Sequence, residues 1–293
     1  MLKAIKMRQI KHLPLLILLL LTGCSALQII SDTSPSDHYH QSLAISYGRA
    51  ERNRLDYYEP VDVTENAPLV VFFYGGGWKN GSRQKYEFVA SALTKAGFRV
   101  VIPDYRLFPH VSFPVFMDDA AAAVAWALNN ETNSQAQDAG VYLVGHSAGA
   151  QIAALLATDH AYLAKVSVPS SALFGLVGLS GPYDFLPIES GYLLDVFPEN
   201  EREASQPVNY VNAAVPPTLL IHGEDDTLVE PGNSERFAAA LRKAGVPVTV
   251  KYYEGTGHAT VAAAMAPQLD FLADTLDDTI TFIKGLDQQR SES

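Results

Sequence analysis

Short apolar runs recur along this chain, separated by longer stretches with helical spacing of their apolar residues. Six of them, 69–74, 98–102, 141–144, 173–179, 217–221 and 248–253, have the length and the β-branched or aromatic content of strands. The intervening segments read as helices; the alanine-rich stretch 118–128, which carries Trp126, predicts a crossover helix packed on a sheet rather than a ligand site. Strand and helix alternating in this way predict an α/β fold, a mostly parallel central sheet with helices on both faces. Arg54-Leu55-Asp56-Tyr57-Tyr58 predicts an additional antiparallel edge strand before them. Residues 186–213 lack either periodicity and predict an irregular insertion, a candidate short cap or lid over a pocket.

Length and composition bound the rest. With 293 residues and 48% hydrophobic content, the chain suits one α/β domain of about 250 residues with a well-filled core. The domain is expected over 41–286, preceded by a polar tether at 24–40, rich in Ser and Asp and contributing no catalytic group, and followed by a polar tail at 287–293. At the start, Lys3, Lys6, Arg8 and Lys11 precede a nearly pure Leu/Ile run at 13–21, which is too short to span a bilayer and reads as a secretory signal, residues 1–23. The net charge of −11 becomes more negative once that basic segment leaves, so nucleic acid is excluded as a partner and anionic lipid offers no attraction. One cysteine makes neither a disulfide nor a thiolate metal cluster, and no histidine set surrounds the adjacent carboxylates Asp225 and Asp226, so no metal site is predicted.

The chemistry is concentrated at strand ends. Val141-Tyr142-Leu143-Val144 runs into Gly145-His146-Ser147-Ala148-Gly149 and then into a helix-like stretch from Gln151. A serine at so sharp a strand-to-helix turn is held in a strained conformation with its hydroxyl exposed, and flanking glycines let the two elements approach. Ser147 is therefore the candidate nucleophile. The run ending at Phe73 leads into Tyr74-Gly75-Gly76-Gly77-Trp78, where consecutive glycines can turn main-chain amides toward a developing oxyanion. Gly76 and Gly77, with the amide of Ala148, are the oxyanion-hole candidates. Neither a G-x-G-x-x-G pattern nor a P-loop Gly-Lys-Ser accompanies them, which disfavours phosphate binding.

A serine hydroxyl needs a base and the base an orienting carboxylate. Both stand beyond later strands, in His222-Gly223-Glu224-Asp225-Asp226 and in Glu254-Gly255-Thr256-Gly257-His258, on the sheet edge where open α/β folds place their ligands. His258 is the leading base, with His146 and His222 as alternatives, whereas His110 and His160 read as surface residues. Asp226 is the leading acid, with Asp225 and Asp184 as alternatives. The chain order Ser, Asp, His is that of one hydrolase fold and not of chymotrypsin-like or subtilisin-like enzymes.

From about Arg52 to Leu286 the chain resembles α/β-hydrolase carboxylesterases, in particular the hormone-sensitive-lipase-like, feruloyl/acetylxylan-esterase-like and isoprenylcysteine-methylesterase-like branches. The shared features are Gly75-Gly76-Gly77-Trp78, Asp104-Tyr105-Arg106-Leu107, Phe113-Pro114 followed by Asp119, Gly145 to Gly149, His222-Gly223 with Asp226 and Val229, and Gly257-His258. The resemblance implies Ser147 as nucleophile, Asp226 as acid and His258 as base, hydrolysis of small to medium carboxylic esters through an acyl-enzyme, and no cofactor. Two positions depart from the pattern: Tyr74 stands where many such enzymes have histidine, and His110 where the hormone-sensitive-lipase-like branch has glutamate. Amidase or peptidase chemistry would use the same three residues, and a non-catalytic binding lipoprotein on this fold is the reading from a different class. Leu21-Thr22-Gly23-Cys24 resembles a bacterial lipobox, which implies lipidation of Cys24 and attachment to the cell envelope. In a Gram-negative bacterium Ser25 would then favour the outer membrane.

Overall fold

A computed structural model describes residues 23–129, 141–189 and 191–292. The signal expectation for residues 1–23 thus falls almost wholly outside the described residues, and among these no helix is long and apolar enough to cross a membrane.

The described residues begin with helix α1 (Gly23–Asp32), followed by strands β1 (Tyr39–Ser46), β2 (Arg54–Pro60) and β3 (Leu69–Phe73). Helix α2 (Glu87–Lys95), strand β4 (Arg99–Pro103), helix α3 (Val115–Asn129), strand β5 (Val141–His146) and helix α4 (Ala148–Thr158) come next. After a short helix α5 (Ala161–Ala164), strand β6 (Leu173–Leu179) leads to helix α6 (Leu193–Val196) within the insertion. Strand β7 (Thr218–Gly223), helix α7 (Gly232–Lys243), strand β8 (Val248–Tyr253) and helices α8 (His258–Ala263) and α9 (Thr275–Ser291) complete the order.

The strands form one eight-stranded sheet in the order β1-β2-β4-β3-β5-β6-β7-β8. From β4 through β8 every pairing is parallel, while β2 runs antiparallel to both β1 and β4. The six predicted apolar runs are β3 to β8. In β3, β4, β5 and β7 every residue is buried, which is why these strands read as continuous apolar runs rather than alternating ones. The register sets Val71 opposite Leu143 and Leu143 opposite Leu176, so the branched side chains of neighbouring strands stack across the middle of the sheet. Every residue of α4 is buried too, its alanines and Gly149 letting it lie close on β5 and β6.

Four expectations are corrected. The strand around Arg54–Pro60 is not at the edge: β1 covers it, so Leu55, Asp56, Tyr57 and Tyr58 are all buried. The segment read as a tether is docked on the domain: Ile30 and Tyr39 are buried, His38 Nε2 lies 2.8 Å from the Ser91 carbonyl, Ser91 Oγ donates to the Pro35 carbonyl and the Tyr39 hydroxyl to Glu87. The region escaped detection because β1 is exposed along nearly its whole length and shows no apolar run. At the other end, 287–291 continues α9 instead of forming a tail. Residues 186–213 are irregular but not structureless: α6 and three 3-10 turns, Glu199–Glu201, Glu203–Ser205 and Pro207–Tyr210, fold onto the C-terminal edge of the sheet. Gln206 Oε1 accepts the Phe185 amide and Asn233 Oδ1 those of Tyr183 and Asp184, which pins the segment at its start.

Candidate active site

At the end of β5 the chain turns into α4 through Ser147, whose φ of 56° and ψ of −123° lie in a region a non-glycine residue rarely occupies. The turn works because of its glycines. A β-carbon on Gly149 would stand 2.0 Å from the Phe73 carbonyl oxygen, and one on Gly145 2.3 Å from the Gly149 carbonyl oxygen. The Ser147 amide donates to Leu179 of the neighbouring strand, which fixes the turn to the sheet.

The three residues from different strand ends meet in one hydrogen-bonded line. Ser147 Oγ lies 2.8 Å from His258 Nε2, and His258 Nδ1 lies 2.7 Å from Asp226 Oδ2. The other carboxylate oxygen, Oδ1, accepts the amides of Leu228 and Val229 at 3.0 and 2.9 Å. Burial alone would raise the Asp226 carboxyl, but hydrogen bonds from His222, His258 and the Val229 amide outweigh it and hold the group well below the ordinary carboxylate range. Asp226 is thus an anion aimed at an imidazole nitrogen, the arrangement that selects one tautomer and stabilises the protonated ring.

The alternatives stand elsewhere. Asp225 is exposed, and Asp184 pairs with Arg236 at the surface at 2.5 Å. His222 is fully buried behind Asp226, its Nε2 2.8 Å from the Val229 carbonyl and 3.3 Å from Asp226 Oδ2, its Nδ1 2.7 Å from Ser234 Oγ. His146 turns away from the serine; its Nε2 lies 3.2 Å from the His258 carbonyl oxygen and its Nδ1 is buried without a partner, against Gly75. Burial, with help from the nearby His258, pushes the His146 imidazole down to about 3, so the ring is neutral. His110 is exposed, and His160 bonds the Ala157 carbonyl at the end of α4.

The glycine loop meets this line from the β3 side. Gly75 abuts the elbow: a β-carbon there would stand 3.0 Å from Ser147 Cβ. Gly76, Gly77 and Trp78 all have positive φ, at 137°, 60° and 56°. Ala148 is the first residue of α4, where an amide has no partner within its helix, so its N–H is available beside the serine. Among the described residues no cluster of His, Cys, Asp or Glu converges as metal ligands would.

A buried polar network beneath the loop was not anticipated. The Tyr74 hydroxyl donates to Asp104 Oδ1 at 2.7 Å and accepts from Arg52 Nη2 at 2.9 Å. Arg83 bridges Asp104 and Asp56 at 2.5 and 2.7 Å, and the Tyr105 hydroxyl donates to the Tyr74 carbonyl at 2.8 Å. Burial, reinforced by Asp104, keeps the Tyr74 phenol protonated and therefore a donor. The departure at Tyr74 and the Asp104-Tyr105 dipeptide were the only sequence signals of this network, and neither named Arg52 or Arg83 as its partners.

The sheet topology and its structural neighbours define an α/β-hydrolase fold. The BD-FAE family matches residues 55–241, more than half of the chain, and the chain belongs to that family. Among curated proteins it is 29% identical over 269 residues to a probable isoprenylcysteine alpha-carbonyl methylesterase of Arabidopsis thaliana, covering 84% of this chain and 56% of that protein. It is also 29% identical over 266 residues to the esterase LipQ of Mycobacterium tuberculosis, covering 84% of this chain and 63% of the relative. The chain thus spans a little over half the length of these relatives. The crystal structure of esterase B from Lactobacillus rhamnosis superposes with a TM-score of 0.78 over 96% of both chains at 20% identity, a likeness of fold.

Proposed function

We propose that this protein is a serine carboxylesterase hydrolysing small to medium carboxylic esters through an acyl-enzyme. The observation that carries the reading is the continuous line from the Asp226 carboxylate through His258 to Ser147 Oγ, with the Gly76-Gly77 loop and the Ala148 amide beside it. Ser147 Oγ adds to the ester carbonyl carbon, the carbonyl π pair moves onto oxygen, and His258 Nε2 takes the hydroxyl proton. The amides of Gly76, Gly77 and Ala148 donate to the oxyanion, and Asp226 stabilises the imidazolium. Collapse expels the alkoxide, which takes the proton from His258. Water, deprotonated by the same nitrogen, then attacks the acyl-enzyme and returns Ser147. The esterases among the relatives support an ester as the substrate.

Fluorophosphonate labelling followed by peptide mapping tests the nucleophile. Ser147 should be the labelled residue, and Ser147→Ala should remain folded while losing about 10³-fold or more of its turnover on short p-nitrophenyl esters. A folded Ser147→Ala protein with near wild-type turnover would overturn the reading. The same reading places the enzyme on the bacterial envelope by lipid at Cys24, the second residue of α1; acyl chains on Cys24 in mass spectra of the native protein would support it, and a free thiol there would refute it.

A further inference from the structure

The cap segment carries one polar group directed at the glycine loop that the reaction above does not use. A β-carbon on Gly77 would stand 2.2 Å from the Tyr192 hydroxyl, so the phenol oxygen lies against the backbone of the residue whose amide is assigned to the oxyanion hole. Among the described residues nothing exchanges a hydrogen bond with that hydroxyl. The ring is half-exposed, and burial raises the phenol above its ordinary value, so it keeps its proton at any pH where the enzyme would work. The position is fixed. The Tyr192 carbonyl accepts the amides of Asp195 and Val196 at 3.0 Å each, and the Val196 carbonyl accepts the Phe113 amide at 2.8 Å. Next in the chain to Val196, Phe197 packs edge-on against Trp78, the residue after Gly77, with ring centres 4.8 Å apart. The Lys79 ammonium stands 5.0 Å over the Tyr192 ring and holds its outer face. Cap and loop are thus tied together on both sides of the contact.

We propose that Tyr192 is a catalytic residue of the cap, a side-chain donor that supplements the backbone amides by hydrogen-bonding the oxygen that turns negative when Ser147 adds to the ester. The inference rests on the esterase reading. A donor aimed at the hole is stabilising only if it meets the charge that develops there, and a hydroxyl stripped of water by a bound ester must find another acceptor. The one offered beside Gly77 is the ester carbonyl oxygen. The phenol keeps its proton throughout; it donates a hydrogen bond and transfers nothing, so the proton route through His258 is unchanged. The contact also explains why position 77 is glycine: besides its positive φ, a side chain there would drive Tyr192 off the loop.

Tyr192→Phe removes the hydroxyl and keeps the ring. On p-nitrophenyl acetate and butyrate it should lower kcat about tenfold with KM little changed, and it should weaken an alkyl boronic acid, which binds Ser147 as a tetrahedral anion, by a similar factor. Circular dichroism and the thermal midpoint should match the wild type. Tyr192→Ala should be no better than Tyr192→Phe. If Tyr192→Phe retains full kcat and full boronate affinity while Tyr192→Ala loses both, the ring acts sterically and the donor assignment is overturned. If both variants match the wild type, it is overturned as well. These outcomes differ from failure of the esterase reading, in which the wild type itself would show no fluorophosphonate label at Ser147, and the proposal would fall with it.

Discussion

The neutral His146 makes acid stability a measurable consequence of the elbow. Its imidazole is buried, its Nδ1 has no partner, and its folded value is pushed down to about 3 from an ordinary 6.5. Above pH 6.5 folded and unfolded chains both carry the neutral ring, and the stability of this site is fully present. As the pH falls below 6.5 the unfolded chain takes up a proton that the folded chain refuses. Stability is therefore lost progressively toward pH 3. With those two values the loss between pH 8 and pH 5 is about 2 kcal/mol, from the linkage relation at 1.36 kcal/mol per pH unit. Urea midpoints at pH 8, 6.5 and 5 measure it in the wild type and in His146→Gln, whose side-chain amide can still donate to the His258 carbonyl but does not titrate. The variant should shed most of the 2 kcal/mol of pH dependence. An unchanged pH slope in His146→Gln, or a wild type equally stable at pH 8 and pH 5, would show that His146 is not the acid-sensitive group.

Two further outcomes follow from the same geometry. Asp226→Asn should lose about 10³-fold or more in turnover, because an amide facing His258 Nδ1 holds the wrong tautomer, whereas exposed Asp225→Asn should stay within about threefold of wild type in the same p-nitrophenyl ester assay. A chain beginning at Gln41 should stay catalytically competent but melt earlier by the equivalent of about 3 kcal/mol, since it loses the buried Ile30 and Tyr39 side chains and the hydrogen bonds from His38 and to Pro35; differential scanning fluorimetry at equal concentration reads the shift, and an unchanged midpoint would mean the segment contributes nothing.

What could be read from the chain follows what local physics imposes. A buried parallel strand must be apolar along its whole length, so β3 to β8 appear as uninterrupted runs, and the strained turn at Ser147 demands glycines on either side that are visible as letters. The carboxylate and the imidazole were legible as loops after strands, although three aspartates competed. Only the pairing distances separate Asp226 from Asp225, because adjacent residues on a loop point in directions that no periodicity encodes. The edge was misjudged for a related reason. Asp56 looks like a solvent-facing residue of an edge strand, yet beneath β1 it accepts the Ala44 amide and pairs with Arg83, from a turn 27 positions away. The contact of Tyr192 with Gly77 crosses 115 positions from an aperiodic segment, and nothing local marks Tyr192 among the aromatic residues of the cap.

Three successive residues with positive φ, one of them the bulky Trp78, are a costly conformation, on the order of 1–3 kcal/mol for the tryptophan alone, and such a loop persists only where its surroundings over-determine it. Here they do so from two directions. Below, the Tyr74 hydroxyl is locked between Asp104 and Arg52, and Asp104 is itself held by Arg83, so the start of the loop cannot rotate without exposing buried charge. Above, Trp78 Nε1 donates to Gln151 Oε1 at 3.1 Å, and Gln151 Nε2 donates to the Ser205 carbonyl at 2.8 Å, which ties the end of the loop to α4 and to the cap. The indole also stacks on Phe185 and meets Phe197 edge-on. Histidine at position 74 would have to bond Asp104 through a shorter ring. Tyrosine reaches further, and with Arg52 it forms a charged bridge joining the residues just before β2 to the ends of β3 and β4. The glycine amides are thereby held in place before any substrate arrives, as the oxyanion role proposed for them requires.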